Sequence, residues 1–117
     1  MHFKPGTHVI ASLETHQPYA IQTFDAFKKL CDELVIKFSL QKLGEVFYNF
    51  QPTGFTGVIC LSESHISVHT FPEYNRVNMD IYLSNYLKEN DGTVQAIYME
   101  LIRFFEGVVI DEIKIKR

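Results

Sequence analysis

The sequence predicts an α+β fold, a two-layer sandwich with two helices packed on one face of a largely antiparallel sheet. Three observations carry that expectation. Two segments place apolar residues at spacings of three and four, six short runs are rich in β-branched and aromatic residues, and one of those runs alternates strictly between apolar and polar. Helices with one apolar stripe and strands with one apolar face are both satisfied when a helical layer covers one side of a sheet.

The first strand is expected over residues 8–13. A helix follows, in which Phe24, Phe27, Leu30, Cys31, Leu34, Val35 and Phe38 form one stripe while Lys28, Lys29, Asp32, Glu33 and Lys37 take the other face, ending near Gly44. Residues 45–50, 56–61 and 65–71 read as strands. In the next, Arg76–Leu83, Val77, Met79, Ile81 and Leu83 alternate with Arg76, Asn78, Asp80 and Tyr82, which assigns the first set to a core. The second helix opens after Asp91-Gly92 with Thr93 as N-cap, turns Val94, Ile97, Tyr98, Leu101, Ile102 and Phe105 inward and stops at Gly107. A last strand covers 108–115, giving the order β-α-β-β-β-β-α-β.

With 117 residues, 46% of them hydrophobic and 21% charged, the chain has the make-up of one globular domain and not of a disordered one. Its net charge of −3 and its dispersed lysines and arginines give no electrostatic reason to expect nucleic acid or an anionic membrane as partner. Its apolar runs fall well short of the ~20 residues a membrane-spanning helix needs. The first six residues, Met1 to Gly6, do not form a basic start followed by an apolar run, so a cytoplasmic protein is expected. Cys31 and Cys60 are then reduced thiols, expected to fill core space.

Reactive side chains concentrate in Leu61-Ser62-Glu63-Ser64-His65-Ile66-Ser67-Val68-His69-Thr70-Phe71-Pro72-Glu73. Alternation of Ile66 and Val68 with His65, Ser67 and His69 puts both histidines on the face opposite the aliphatics. A polar sheet surface is the plain structural reading. A metal site is another, with His65 and His69 joined by Glu63 or Glu73.

The string Gly54-Phe55-Thr56-Gly57-Val58, followed by Ser62-Glu63-Ser64-His65 and His69-Thr70-Phe71-Pro72-Glu73, resembles the bacterial and archaeal S-adenosylmethionine decarboxylase proenzymes. The likeness runs from Gly6-Thr7-His8 to Asp80. It implies a pyruvoyl-dependent lyase that supplies the aminopropyl donor for spermidine synthesis. Decarboxylating an α-amino acid leaves a carbanion that needs an electron sink, and no ordinary side chain is one. In this family a serine attacks the carbonyl before it, and the ester so formed eliminates to leave a pyruvoyl group, which takes the substrate amine as a Schiff base. The matching bond here is Glu63–Ser64, dividing the chain into residues 1–63 and 64–117, and no metal is called for.

The resemblance further implies that His69 removes the α-proton of the serine during elimination, a task suited to imidazole, and that the Thr56 hydroxyl supports processing. Glu73 would bind the ribose hydroxyls, and Phe50 would stack on adenine. The family's acid, a cysteine, aligns with Ser84, eleven residues after Glu73. A serine hydroxyl is a much weaker acid than a thiol, so Tyr82, His65 or a water relayed by Ser84 are alternatives, as is a shift of alignment. A homodimer with the substrate site near its interface is also implied. Two other functions stay open: an arginine or ornithine decarboxylase on the same scaffold, and a non-catalytic regulatory homologue.

Overall fold

In a computed structural model that describes residues 3–86 and 88–117, all six strands belong to one antiparallel sheet. The strands are β1 (Thr7–Thr15), β2 (Lys42–Asn49), β3 (Phe55–Leu61), β4 (Ser64–Phe71), β5 (Arg76–Leu83) and β6 (Gly107–Lys116), in the spatial order β2-β3-β4-β5-β1-β6. The helices are α1 (Pro18–Gln22), α2 (Asp25–Lys37) and α3 (Asp91–Phe105), and a 3₁₀ turn, Pro72–Tyr74, joins β4 to β5. Three helices on an antiparallel sheet therefore stand where the sequence predicts two. The additional one, α1, is five residues long, too short to show a helical period, and Pro18 at its first turn is the single local sign of it.

The strictly alternating run behaves as expected. Val77, Met79, Ile81 and Leu83 are buried, and they meet Val9, Ala11 and Leu13 of β1 and Ile66 and Val68 of β4 on the helical side. Phe27 of α2 is the hinge of that core. Its ring lies 5.7 Å from both Phe55 of β3 and Phe105 of α3, so it joins two helices to the sheet. From α3 come Val94, Ile97, Tyr98 and Leu101, all buried.

Several boundaries differ from the sequence reading. Helix α2 ends at Lys37 and not near Gly44, because Ser39 turns into the left-handed region. Asn90 and not Thr93 holds the N-cap position of α3, and Glu106, at φ 47°, turns the chain out of that helix before Gly107. Phe50 lies just past the end of β2. Cys31 is buried as expected, and burial pushes its thiol up to about 12. Cys60 is exposed: it stands opposite His65 on the face of the sheet that none of the described helices covers.

Candidate functional site

The uncovered face carries every second residue of the central strands: His65, Ser67 and His69 of β4, and Asn78, Asp80 and Tyr82 of β5. Strand alternation places them there, since Ile66, Val68 and Thr70 go into the core. Ser64 begins β4 at one end of this sheet. Ser62 and Glu63 form a two-residue turn between β3 and β4, with Leu61 paired to Ser64. Two-residue hairpins favour turns in which one or both central residues have positive φ. Neither Ser62 nor Glu63 does; Ser64 instead has φ 146°. Such a conformation is costly for a residue with a side chain, and strain of this kind gathers at working sites.

Around this turn the polar groups are closely matched. The Ser84 N–H donates to the Glu63 carbonyl at 2.8 Å. The Glu63 side chain is buried, and its Oε1 accepts from Asn90 Nδ2 at 3.0 Å. Asn90 Nδ2 also donates to the Ser84 carbonyl at 2.8 Å. Asn85 braces the loop through Pro5 and Asp91. The Asp91 carboxyl is held down at about 2 by Lys116, with Thr7 and Asn85 adding hydrogen bonds. Gly6 lies against this corner so closely that a Cβ would sit 2.1 Å from the Leu83 carbonyl oxygen and 2.9 Å from Ser84 Cα, which only glycine permits.

The other residues singled out in the sequence lie at the opposite end. Thr56 pairs with His69 across β3 and β4, and its hydroxyl is 2.6 Å from His69 Nδ1. That hydroxyl also lies 3.4 Å from the Val68 carbonyl. A proton on Nδ1, donated to the Thr56 oxygen, would leave the Nε2 lone pair of His69 free, as a base requires. Phe50 is half exposed beside Tyr48, with ring centres 5.2 Å apart, and Glu73 sits in the 3₁₀ turn at the same end. A shallow cavity of about 520 Å³ lined by Phe71, Tyr74, Arg76 and Asn78 opens there. Five residues of extended strand separate Ser64 from His69, about 17 Å at roughly 3.3 Å per residue. Within one chain, the serine and its expected base do not meet.

The four residues of the metal reading do not converge. His65 and His69 are about 13 Å apart along β4 by the same strand rise, Glu63 is taken by Asn90, and Glu73 is at the far end. His65 instead meets His8 and Asp80, whose carboxylate oxygen lies 2.8 Å from His65 Nε2 and 2.5 Å from His8 Nε2. The ligand-type atoms of these three lie within 4.8 Å of one another. Arg117 Nη1 stands 3.3 Å from His8 Nδ1. A guanidinium only donates, so it occupies that lone pair and leaves the ring proton on Nε2, facing Asp80, where a metal ligand would need a lone pair. The group forms a hydrogen-bonded relay one residue from Ser64. Among the alternatives to Ser84 as acid, Tyr82 spends its hydroxyl on the Arg117 carbonyl at 2.8 Å.

Two features escaped the sequence reading. Asn90 belongs to no recognisable motif, and the pairing of His8 with Asp80 and His65 depends on β1 lying beside β5. Among the described residues, no helix is long and apolar enough to cross a membrane.

Comparison with known proteins adds a further observation. A family model described as S-adenosylmethionine decarboxylase matches residues 7–114. The chain is 40% identical over 77 residues to an S-adenosylmethionine decarboxylase proenzyme of Archaeoglobus fulgidus, covering 66% of this chain and 69% of that one. It is 34% identical over 96 residues to a proenzyme of the same description from Thermoplasma volcanium, covering 82% and 74%. Against the Aquifex aeolicus proenzyme the match spans only 57% of the relative's length. A crystal structure of the adenosylmethionine decarboxylase from Aquifex aeolicus superposes with a TM-score of 0.84 at 28% identity, over 99% of this chain and 92% of that one.

Proposed function

Because the chain belongs to the S-adenosylmethionine decarboxylase family, we propose that it cleaves itself at Glu63–Ser64 and then decarboxylates S-adenosylmethionine. The observation that supports this most is the corner around the bond itself. A serine at φ 146° follows a carbonyl that already accepts a hydrogen bond from the Ser84 N–H. When Ser64 Oγ attacks that carbonyl, negative charge collects on the Glu63 oxygen, and a fixed amide 2.8 Å away is placed to stabilise it. Breaking the C–N bond relieves the strained backbone, and the serine hydroxyl proton passes to the freed amine. Removal of the Ser64 α-proton then expels Oγ together with Glu63 as a carboxylate. The dehydrated residue tautomerises to an imine, and water replaces ammonia to leave a ketone.

The group so made supplies the electron sink that decarboxylation needs. The residues present suit it: Ser64 starts a strand at the rim of an open sheet, next to an imidazole relay and to Ser84. Ser84 stands at the position of the family's acid. His65 and His8, both hydrogen-bonded to Asp80, are the imidazoles at that end, and imidazole is the side chain suited to proton transfer near neutral pH.

The base for elimination comes from a second copy. His69, Thr56, Phe50 and Glu73 lie together at the end of the sheet remote from Ser64, so a pairing of uncovered faces about a two-fold axis lying across the strands would set one chain's Ser64 end over its partner's His69 end. Face-to-face sheets pack about 10 Å apart, a gap side chains fill. The face suits burial: Ile10, Val46, Val58, Ile113 and Ile115 are exposed on its flanks, with the polar strands β4 and β5 between them. In such a pair the partner's aromatic and carboxylate residues are placed to take the nucleoside while Ser64 takes the amino-acid end.

Carbon dioxide release from carboxyl-labelled S-adenosylmethionine, arginine and ornithine by the processed protein tests the substrate. Release from S-adenosylmethionine alone is expected. Release from only an amino acid would transfer the assignment to that substrate, and release from none would favour a regulatory homologue.

A further inference from the structure

We infer that Asn90 is a positioning residue for self-cleavage, holding the Glu63 acyl group and the Ser84 amide in register while the serine attacks. The inference rests on the cleavage reading above and adds to it a side chain from the start of α3. Asn90 is fully buried and occupies the N-cap position, yet its side chain makes no capping bond. Asparagine is among the best helix caps because its oxygen accepts from the first free N–H groups. Here that oxygen, Oδ1, has no partner. Both useful contacts are made by Nδ2, to Glu63 Oε1 at 3.0 Å and to the Ser84 carbonyl at 2.8 Å. Turning the amide over gives no remedy, since it would set an oxygen against two acceptors.

A buried side chain that gives up its local role and leaves an atom unsatisfied is held by what it does elsewhere. Asn90 ties together both partners of one hydrogen bond. Glu63 carries the carbonyl oxygen on which charge develops, and Ser84 carries the N–H aimed at it. Asn90 holds the first through its side chain and the second through the carbonyl on the other side of its Cα. It touches neither reacting atom, so its contribution is alignment, where a displacement of about 1 Å can slow a reaction by about a hundredfold. The backbone at this position is fixed separately, by the Asn90 N–H donating to Asn85 Oδ1 at 2.7 Å. A change confined to the side chain therefore separates alignment from the fold of the loop.

The test is the rate at which full-length chains, made by pulsed cell-free synthesis, convert to two fragments over a range of pH. Asn90→Asp has the same shape and caps a helix as well as asparagine, but it opposes a carboxylate to Glu63 in place of an N–H donor. We expect it to cleave about ten to a hundred times more slowly than wild type at pH 8. Its rate relative to wild type should recover toward pH 5, as the two facing carboxyls come to share a proton and a donor is restored. Asn90→Ala should be slow at every pH. Cleavage of both variants within about twofold of wild type, or a deficit in Asn90→Asp that ignores pH, would overturn the inference. If wild type itself does not cleave, the reading beneath it fails first, so the two failures are distinguishable.

Discussion

A site divided between two chains makes a prediction that a site within one chain does not. Ser64→Ala removes the nucleophile and His69→Ala removes the base, so neither variant alone forms the keto end; His69→Ala is expected to stop at the ester, which hydroxylamine cleaves. Each variant nevertheless keeps what the other lacks. With Ser64 and His69 about 17 Å apart on one strand, a mixed dimer contains one site with both groups intact, made of Ser64 from the His69→Ala chain and His69 from the Ser64→Ala chain. Random pairing of equal amounts gives about half mixed dimers, so about half of the His69→Ala chains should complete cleavage and no Ser64→Ala chain should. Co-expression with two different tags, followed by intact-mass measurement, reads out which chain was cut. Completed cleavage in His69→Ala alone, or none in the mixture although mixed dimers are present, would refute a composite site.

Other consequences are simpler to check. Asp91 has its pKa lowered from 3.8 to about 2, first by Lys116 and then by Thr7 and Asn85. A depressed carboxyl stabilises the fold above its unfolded pKa and ceases to do so as pH falls through the folded value; Asp91→Asn should lower the unfolding midpoint at neutral pH, with the difference shrinking between pH 4 and pH 2. Equal loss at both ends of that window would contradict the ion-pair assignment. On the uncovered face, Ile113 is 56% exposed, and Ile113→Asp should convert the proposed dimer to monomer in sedimentation and suppress completed cleavage without unfolding the chain. Phe27 is 1% exposed and touches both Phe55 and Phe105; Phe27→Ala should cost about 3–5 kcal/mol in denaturant titration, and a loss below 1 would deny its central place in the core.

Much of this was open to reading in the sequence because it depends on local periods. The alternation of Arg76–Leu83 reports one buried face, and the apolar stripe of α2 reports another; both agree with the observed burial at Val77, Met79, Ile81, Phe27, Cys31 and Leu34. Short-range geometry was harder. Helix α1 has too few residues to show a period, and the start of α3 is hard to read because Asn90, at the N-cap position, makes no side-chain capping bond. Cys60 illustrates a different limit: β3 has one face toward the helices, and the parity of the strand puts Cys60 on the other. The separation of Ser64 from His69 was present in the spacing all along. Five residues are adjacent in a list of motif positions, but in a strand they are a length of about 17 Å.

The intact mass of freshly purified wild-type protein bears most directly on the whole account. Two species are predicted, residues 1–63 with a free carboxyl end and residues 64–117 bearing a ketone that reacts with hydrazine, their summed mass differing from the full chain by the gain of water and loss of ammonia. A single species near 13.6 kDa, stable on prolonged incubation and inert to hydrazine, would contradict it.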